Sequence, residues 1–175
     1  MIQLALAERS GLPDALRVLL AEYPREIWES DPGFDGLIRF WLDRHMMFRR
    51  VVADMQSDAQ KFIDGGFETD QYASRLSRLG GMFVNGLHEH HTIEDTYYFP
   101  KLATKDTRIE SGFAILDKDH HDIDALLNKF VATANDVLNA RDKKPAMKNA
   151  TGQFETELAV LERLLNRHLN DEEEL

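Results

Sequence analysis

Seven histidines and no cysteine limit the metal chemistry open to this chain of 175 residues. The histidines are His45, His88, His90, His91, His120, His121 and His168. Without thiolates there can be no disulfide, no cysteine-bound zinc site and no cysteine-held iron–sulfur cluster, so any metal must sit on imidazole and carboxylate. Two of the histidines carry a glutamate four residues later: His90-His-Thr-Ile-Glu94 and His168-Leu-Asn-Asp-Glu172 share one spacing. On a helix such residues lie one above the other, so each pair aims a ring nitrogen and a carboxylate at a common point.

These residues need elements that hold them at one depth, and the hydrophobic pattern supplies four. Apolar residues recur at alternating steps of four and three along four stretches, the signature of a helix seam packed against others. The first runs Phe34, Ile38, Trp41, His45, Phe48, Val52, Met55, Ala59, Phe62, and the second Tyr72, Leu76, Leu79, Phe83, Gly86, His90, Ile93, Tyr97. The third runs Phe113, Leu116, His120, Ile123, Leu127, Phe130, Ala134, Val137, and the fourth Phe154, Leu158, Leu161, Leu165, His168, Glu172. Each seam is interrupted once by a histidine. Gly65-Gly66 is expected to stop the first helix through a left-handed cap. Pro100 is expected to end the second by forcing Phe99 out of helical geometry, and Pro145 suits the first turn of the fourth. Connections this short make neighbours antiparallel. The expected architecture is all-α: an antiparallel up-down four-helix bundle over residues 34–175, preceded by a short N-terminal arm, 1–33.

The four seam histidines can share one slab. His45 stands roughly 30 Å before the Gly65-Gly66 break and His90 roughly 36 Å after it, at about 1.5 Å per residue. His120 and His168 stand roughly 33 and 39 Å on either side of the break near Asp142. One histidine on an apolar face is ordinarily a hydrogen-bonded core residue. Four at compatible heights would need four sets of buried partners, a difficulty that a metal removes by using the ring lone pairs.

The expected ligands are therefore His45, His90, Glu94, His120, His168 and Glu172. Four nitrogens and two carboxylates exceed what one ion with room for a substrate accepts, but suit two ions bridged by Glu94 and Glu172. The donor set fits iron or manganese, and zinc competes by affinity order. The Glu-x-x-His pattern of ferritin-type bundles is absent. Glu173 is the rival to Glu172 if the last turn loosens. His88, His91 and His121 point away from the seam and read as surface or boundary residues, with His91 the one placed to support a ligand from behind. Tyr97 falls on the seam one turn beyond Glu94, either as core or as a hydrogen-bond donor to the site. Met46, Met47 and Met55 read as fillers of core gaps.

The rest of the composition excludes other classes. A net charge of −10 does not suit a phosphate backbone, so no nucleic-acid partner is expected. No apolar run reaches the length of a membrane span, and the start, Met1 to Ala7, lacks a basic region of the kind that opens a secretory signal. A cytoplasmic protein is expected.

The segments Leu42-Asp-Arg-His45, His90-His-Thr-Ile-Glu-Asp95 followed by Phe99-Pro100, Asp119-His-His-Asp-Ile-Asp-Ala-Leu-Leu127, and His168 through Glu173, taken in order, resemble the hemerythrin and HHE cation-binding family. The resemblance spans about residues 34 to 174. It implies a four-helix bundle with two non-haem iron ions, oxo- or hydroxo-bridged, in preference to manganese or zinc. By position, His45, His90, Glu94, His120 and His168 match the family's ligands, with Glu172 or Glu173 as the last. Oxygen-carrying members have a second histidine four residues after the one on the third helix. Here that position is Asp124, either a ligating acid or a solvated residue. The implied function is binding or sensing of O2, or another small diatomic such as NO. The alternative is a di-iron enzyme or iron-handling protein acting in peroxide reduction, oxidation, or iron delivery and repair.

Overall fold

The periodic stripes become long helices. The computed structural model describes residues 4–34 and 36–175; Met1, Ile2, Gln3 and Asp35, and with them the first residues of the expected arm and of the start examined for a signal, lie outside that set. The described residues are all-helical, with no strand. Six α-helices follow in order: α1 (Val18–Glu22), α2 (Gly36–Ile63), α3 (Thr69–Ile93), α4 (Phe99–Ala103), α5 (Glu110–Asn139) and α6 (Lys144–Glu174). Two 3-10 turns, Asp14–Leu16 and Arg25–Ser30, lie in the N-terminal segment, and a π-helical turn, Glu94–Tyr98, joins α3 to α4. None of the helices is long and apolar enough to cross a membrane.

The stop at Gly65-Gly66 is a Schellman cap. Gly65 has φ +85°, and the N–H groups of Gly65 and Gly66 donate to the carbonyls of Phe62 (3.1 Å) and Lys61 (2.9 Å). Those bonds satisfy carbonyls that the helix end leaves without partners, and only glycine adopts that φ without strain. Pro145 does sit in the first turn of α6.

Pro100 does not end a helix. It lies in the first turn of α4, and Phe99 before it stays helical at φ −59°, ψ −47°. The wide turn ahead of it is the reason. The N–H of Phe99 reaches back five residues to the carbonyl of Glu94, and this one-residue expansion makes room for a ring that would collide with a regular preceding turn.

By contacts the chain divides into two units. One comprises Phe48–Glu89 and Ile123–Arg163. Its interior is an aromatic chain in which Phe48 meets Phe83, Phe83 meets Phe130 and Phe130 meets Phe154, with ring centroids 6.3, 5.6 and 5.4 Å apart. The other comprises the residues up to Met47, His90–Asp122 and Leu164–Leu175. Here Phe99, Ile109, Phe113 and Leu116 form an apolar cluster against which Val18 and Leu19 of α1 pack. All six expected ligands belong to this unit.

Two apolar expectations fail. Met46 and Ile38 are exposed, although Met55 is buried as expected.

Candidate metal centre

Four helices each bring one histidine of the pattern to the same place: His45 from α2, His90 from α3, His120 from α5 and His168 from α6. All four are buried, as is Glu94. The rings face one another through Nε2. The His45 and His90 Nε2 atoms are 3.1 Å apart, and those of His120 and His168 are 3.2 Å apart. Donors held about 2.0–2.2 Å from one ion lie roughly 3 Å from each other, so both spacings suit a shared cation.

The two glutamates tie these pairs together. Glu94 Oε1 lies 3.0 Å from His90 Nε2, while its Oε2 lies 3.5 Å from His120 Nε2. Glu172 Oε2 lies 3.5 Å from His45 Nε2 and 3.8 Å from His168 Nε2. Two groups of donors result: His45, His90, Glu94 and Glu172 in one, His91, His120 and His168 in the other, each set of ligand atoms within 4.8 Å.

His91 is the residue the helical wheel misplaced. It is buried, not at a boundary. Its ring stacks on His120 at 3.9 Å and 10°, and meets His168 edge-on at 5.3 Å. Neither ring nitrogen has a hydrogen-bond partner among the described residues, and the same holds for Glu94 Oε2 and Glu172 Oε2. A buried imidazole with both nitrogens unsatisfied is costly. A cation drawing on these lone pairs removes the cost, so the residues present fit a metal.

Behind the rings stands a set of carboxylates. Glu173 Oε1 lies 3.0 Å from His45 Nδ1, Asp95 Oδ1 2.8 Å from His120 Nδ1, and Asp119 Oδ2 3.2 Å from His168 Nδ1. Each acid is placed to accept an Nδ1–H, and the neutral tautomer that donates it presents an Nε2 lone pair inward to a cation. The α6 acids thus divide: Glu172 enters the donor group, and Glu173 supports His45 and pairs with Arg25 at 2.9 Å.

Sequence reasoning missed Trp41 and Arg9. Trp41 reads as one apolar member of a seam, yet its Nε1–H donates to Glu94 Oε1 at 2.6 Å and Glu172 Oε1 at 3.1 Å, holding both carboxylates. Arg9 donates to Asp171 Oδ2 at 2.7 Å and Asp119 Oδ1 at 2.8 Å, with a further bond to Asp119 Oδ2. In the sequence Asp119 and Asp171 stand only as members of the segments Asp119 to Leu127 and His168 to Glu173.

Two other candidates fall away from the site. Asp124 is exposed and belongs to neither donor group. Tyr97 is 68% exposed. The π turn rotates the chain by one position after Glu94, and Tyr98 takes the inward place, its ring 4.9 Å from Trp41.

The electrostatics follow from burial and from these partners. Burial first, then the neighbouring imidazoles, lower His90 and His120 to about 3, and His91 also falls well below 6.5. For His45 burial opposes the charge, but Glu172 and Glu173 outweigh it and raise the ring to about 9. Burial and the adjacent Glu172 hold Glu94 protonated far above the carboxylate range. Burial also opposes ionisation of Glu172, yet His45 overcomes it and keeps this acid ionised.

A pH dependence of the chelator-stripped chain follows. Groups lowered on folding contribute stability above their unfolded pKa that is lost as pH falls. His90, His91 and His120 therefore destabilise the fold below about pH 6.5, and they outnumber Glu94, which acts the other way. Above that pH, His45 loses its contribution as pH rises toward 9, and Glu94, which is ionised in the unfolded chain but held protonated in the fold, adds to the loss. The urea midpoint is expected to peak near about pH 6.5 and to fall on both sides. A midpoint that rises steadily from acid to alkaline pH would contradict these assignments.

A family model described as Hemerythrin HHE cation binding domain matches residues 36–175. No curated protein and no solved structure matches the chain.

Proposed function

The chain belongs to the hemerythrin HHE cation-binding family, and on that premise we propose that it is a non-haem di-iron protein that binds or senses O2, or another small diatomic such as NO. The four long helices form an antiparallel up-down bundle around the centre. One observation carries the reading: the two oxygens of Glu94 reach two different histidine pairs, His90 by Oε1 and His120 by Oε2. A carboxylate so placed serves two ions better than one.

His45, His90, Glu94 and Glu172 would hold the first ion. His91, His120 and His168 would hold the second, with Glu94 and Glu172 shared. His91 supplies the nitrogen that Asp124 does not. Imidazole and carboxylate donors without sulfur suit iron, and family membership favours it over manganese and zinc. Iron held there would supply the redox chemistry for taking up a diatomic ligand. The protein's own contribution is placement. Trp41 fixes both bridging carboxylates, three acids fix the ring orientations, and burial excludes bulk water.

The test is elemental analysis followed by exposure of the anaerobic ferrous protein to air. We expect two irons per chain and a charge-transfer band that disappears when O2 is removed. Iron at one per chain or none would overturn the di-iron assignment. A band that decays irreversibly would move the protein to the enzyme or iron-handling class, acting in peroxide reduction, oxidation or iron delivery.

A further inference from the structure

A diatomic ligand needs a space of about one water molecule, roughly 30 Å³. The unit that carries the histidines also contains a cavity of ≈ 660 Å³, which falls within the ~300–1,000 Å³ of pockets that take organic molecules. It lies among the N-terminal segment, the beginning of α2, α4 and the beginning of α5, and its inner end is formed by Trp41, His45, Glu94 and Glu172. Most of the wall is apolar, with Leu19, Phe34, Ile109 and Phe113 contributing. Around it Tyr23, Leu37, Ile38 and Leu102 are left 40–50% or so open to solvent (52, 49, 44 and 44%), more apolar surface than a finished core leaves in one place.

The charges on this wall are not balanced evenly. Asp106 is held by Arg108, the Asp31 carboxylate accepts the Gly33 N–H, and Glu173 is held by Arg25 and His45. Glu94 and Glu172 accept from Trp41. The Lys105 ammonium, exposed on the same wall, has no hydrogen-bond or ion-pair partner among the described residues. On a chain with net charge −10, this leaves one ammonium without a direct partner beside an apolar cavity whose carboxyl groups each already have a hydrogen-bond or ion-pair partner.

We propose that the cavity binds an aliphatic monocarboxylate of fatty-acid type, with its carboxylate on Lys105 and its hydrocarbon tail along the apolar wall toward Trp41. Apolar burial supplies the affinity and the single ammonium fixes the direction of entry. Binding uses no metal donor, so it stands or falls separately from the di-iron reading.

The test is calorimetric titration of dodecanoate into the full chain, with tryptophan fluorescence followed in parallel, because Trp28 and Trp41 both line the cavity. Saturable binding of one molecule per chain is expected. Lys105→Glu, at an exposed position, should weaken dodecanoate by roughly tenfold or more and leave dodecanol, which lacks the charge, within about twofold. Ile38→Trp, also at an exposed position, should weaken both by narrowing the cavity. Iron content of every variant is measured on the same samples and is expected to stay unchanged. Absence of saturable dodecanoate binding, or uptake that neither variant alters, would overturn the proposal even if the protein holds two irons. Equal weakening of dodecanoate and dodecanol by Lys105→Glu would overturn the carboxylate assignment. Absence of iron from the parent chain, with dodecanoate binding intact, would count against the metal centre and leave the cavity proposal supported.

Discussion

Glu94→Ala is expected to lose nearly all bound metal, whereas His120→Ala keeps the ion held by His45 and His90. The difference comes from geometry. His120 contributes to one donor group, while Glu94 offers one oxygen to His90's side and the other to His120's. Mutations of residues that merely support a ligand cost about 10–100-fold in metal affinity, so loss of a shared ligand should cost at least roughly 100-fold at both positions. The metal-free fold should respond far less. There Glu94 is a buried acid that burial and Glu172 keep protonated, so removing it relieves the cost of burying a carboxyl group. The variant's urea midpoint, measured with chelator, should therefore fall much less than its midpoint in iron, because only the metal-loaded chain gains stability by mass action. Elemental analysis of both variants decides the matter. Two irons retained in Glu94→Ala would remove the shared-ligand assignment, and a stripped His120→Ala would show that the two groups do not bind independently.

How far the residues declared this site in advance depends on regularity. Where a helix is ideal, a period of 3.6 locates everything: the third seam, from Phe113 to Val137, is buried at every position read from the pattern. The reading breaks where the backbone departs from that period. After Glu94 the π turn inserts one residue, and Tyr98 replaces Tyr97 as the inward ring. The same turn lets Pro100 lie within a helix. No local signal announces such a turn, because it arises from packing. His91 was misplaced for a related reason. The helical wheel puts it about 100° from His90, which is off a two-helix seam but still inside a core enclosed on several sides. Ile38 failed in the opposite direction, since its end of α2 borders the apolar cavity.

The Arg9 contact could not have been read at all. It joins residues 162 and 110 positions apart, and Arg9 lies outside the matched residues 36–175. Periodicity reports which face of a helix is buried, not which distant side chain covers its charges.

That contact gives the second large effect. Arg9, Asp119 and Asp171 have side chains no more than 2% exposed. Asp171 has other support, from the Leu12 N–H at 3.2 Å and Arg167 at 2.5 Å. Among the described residues, the Asp119 carboxylate has only Arg9 and the His168 ring as partners. Arg9→Ala leaves this acid buried with the His168 ring as its remaining partner, and removing one partner of a buried ion pair typically costs about 3–5 kcal/mol. Burial opposes the ionised form of Asp119, but Arg9 and His168 hold its pKa below the usual carboxylate value. Its contribution is thus present above about pH 4 and lost on acidification, so the variant should unfold at a higher pH than the parent chain. The effect should also reach the metal. Asp119 orients His168 through Nδ1, and an acid freed from Arg9 holds that ring less firmly, which predicts about 10–100-fold weaker iron binding. Arg9→Lys separates charge from geometry, since one ammonium cannot grip both acids in the forked manner of a guanidinium. It should recover part of the stability and less of the metal affinity. Combining Arg9→Ala with Asp119→Asn removes the stranded charge, and the double variant should be more stable than the sum of the two single losses predicts. If Arg9→Ala unfolds at the parent urea concentration and keeps its iron, the N-terminal segment covers the site without supporting it, and the carboxylate behind His168 owes its position to α5 alone.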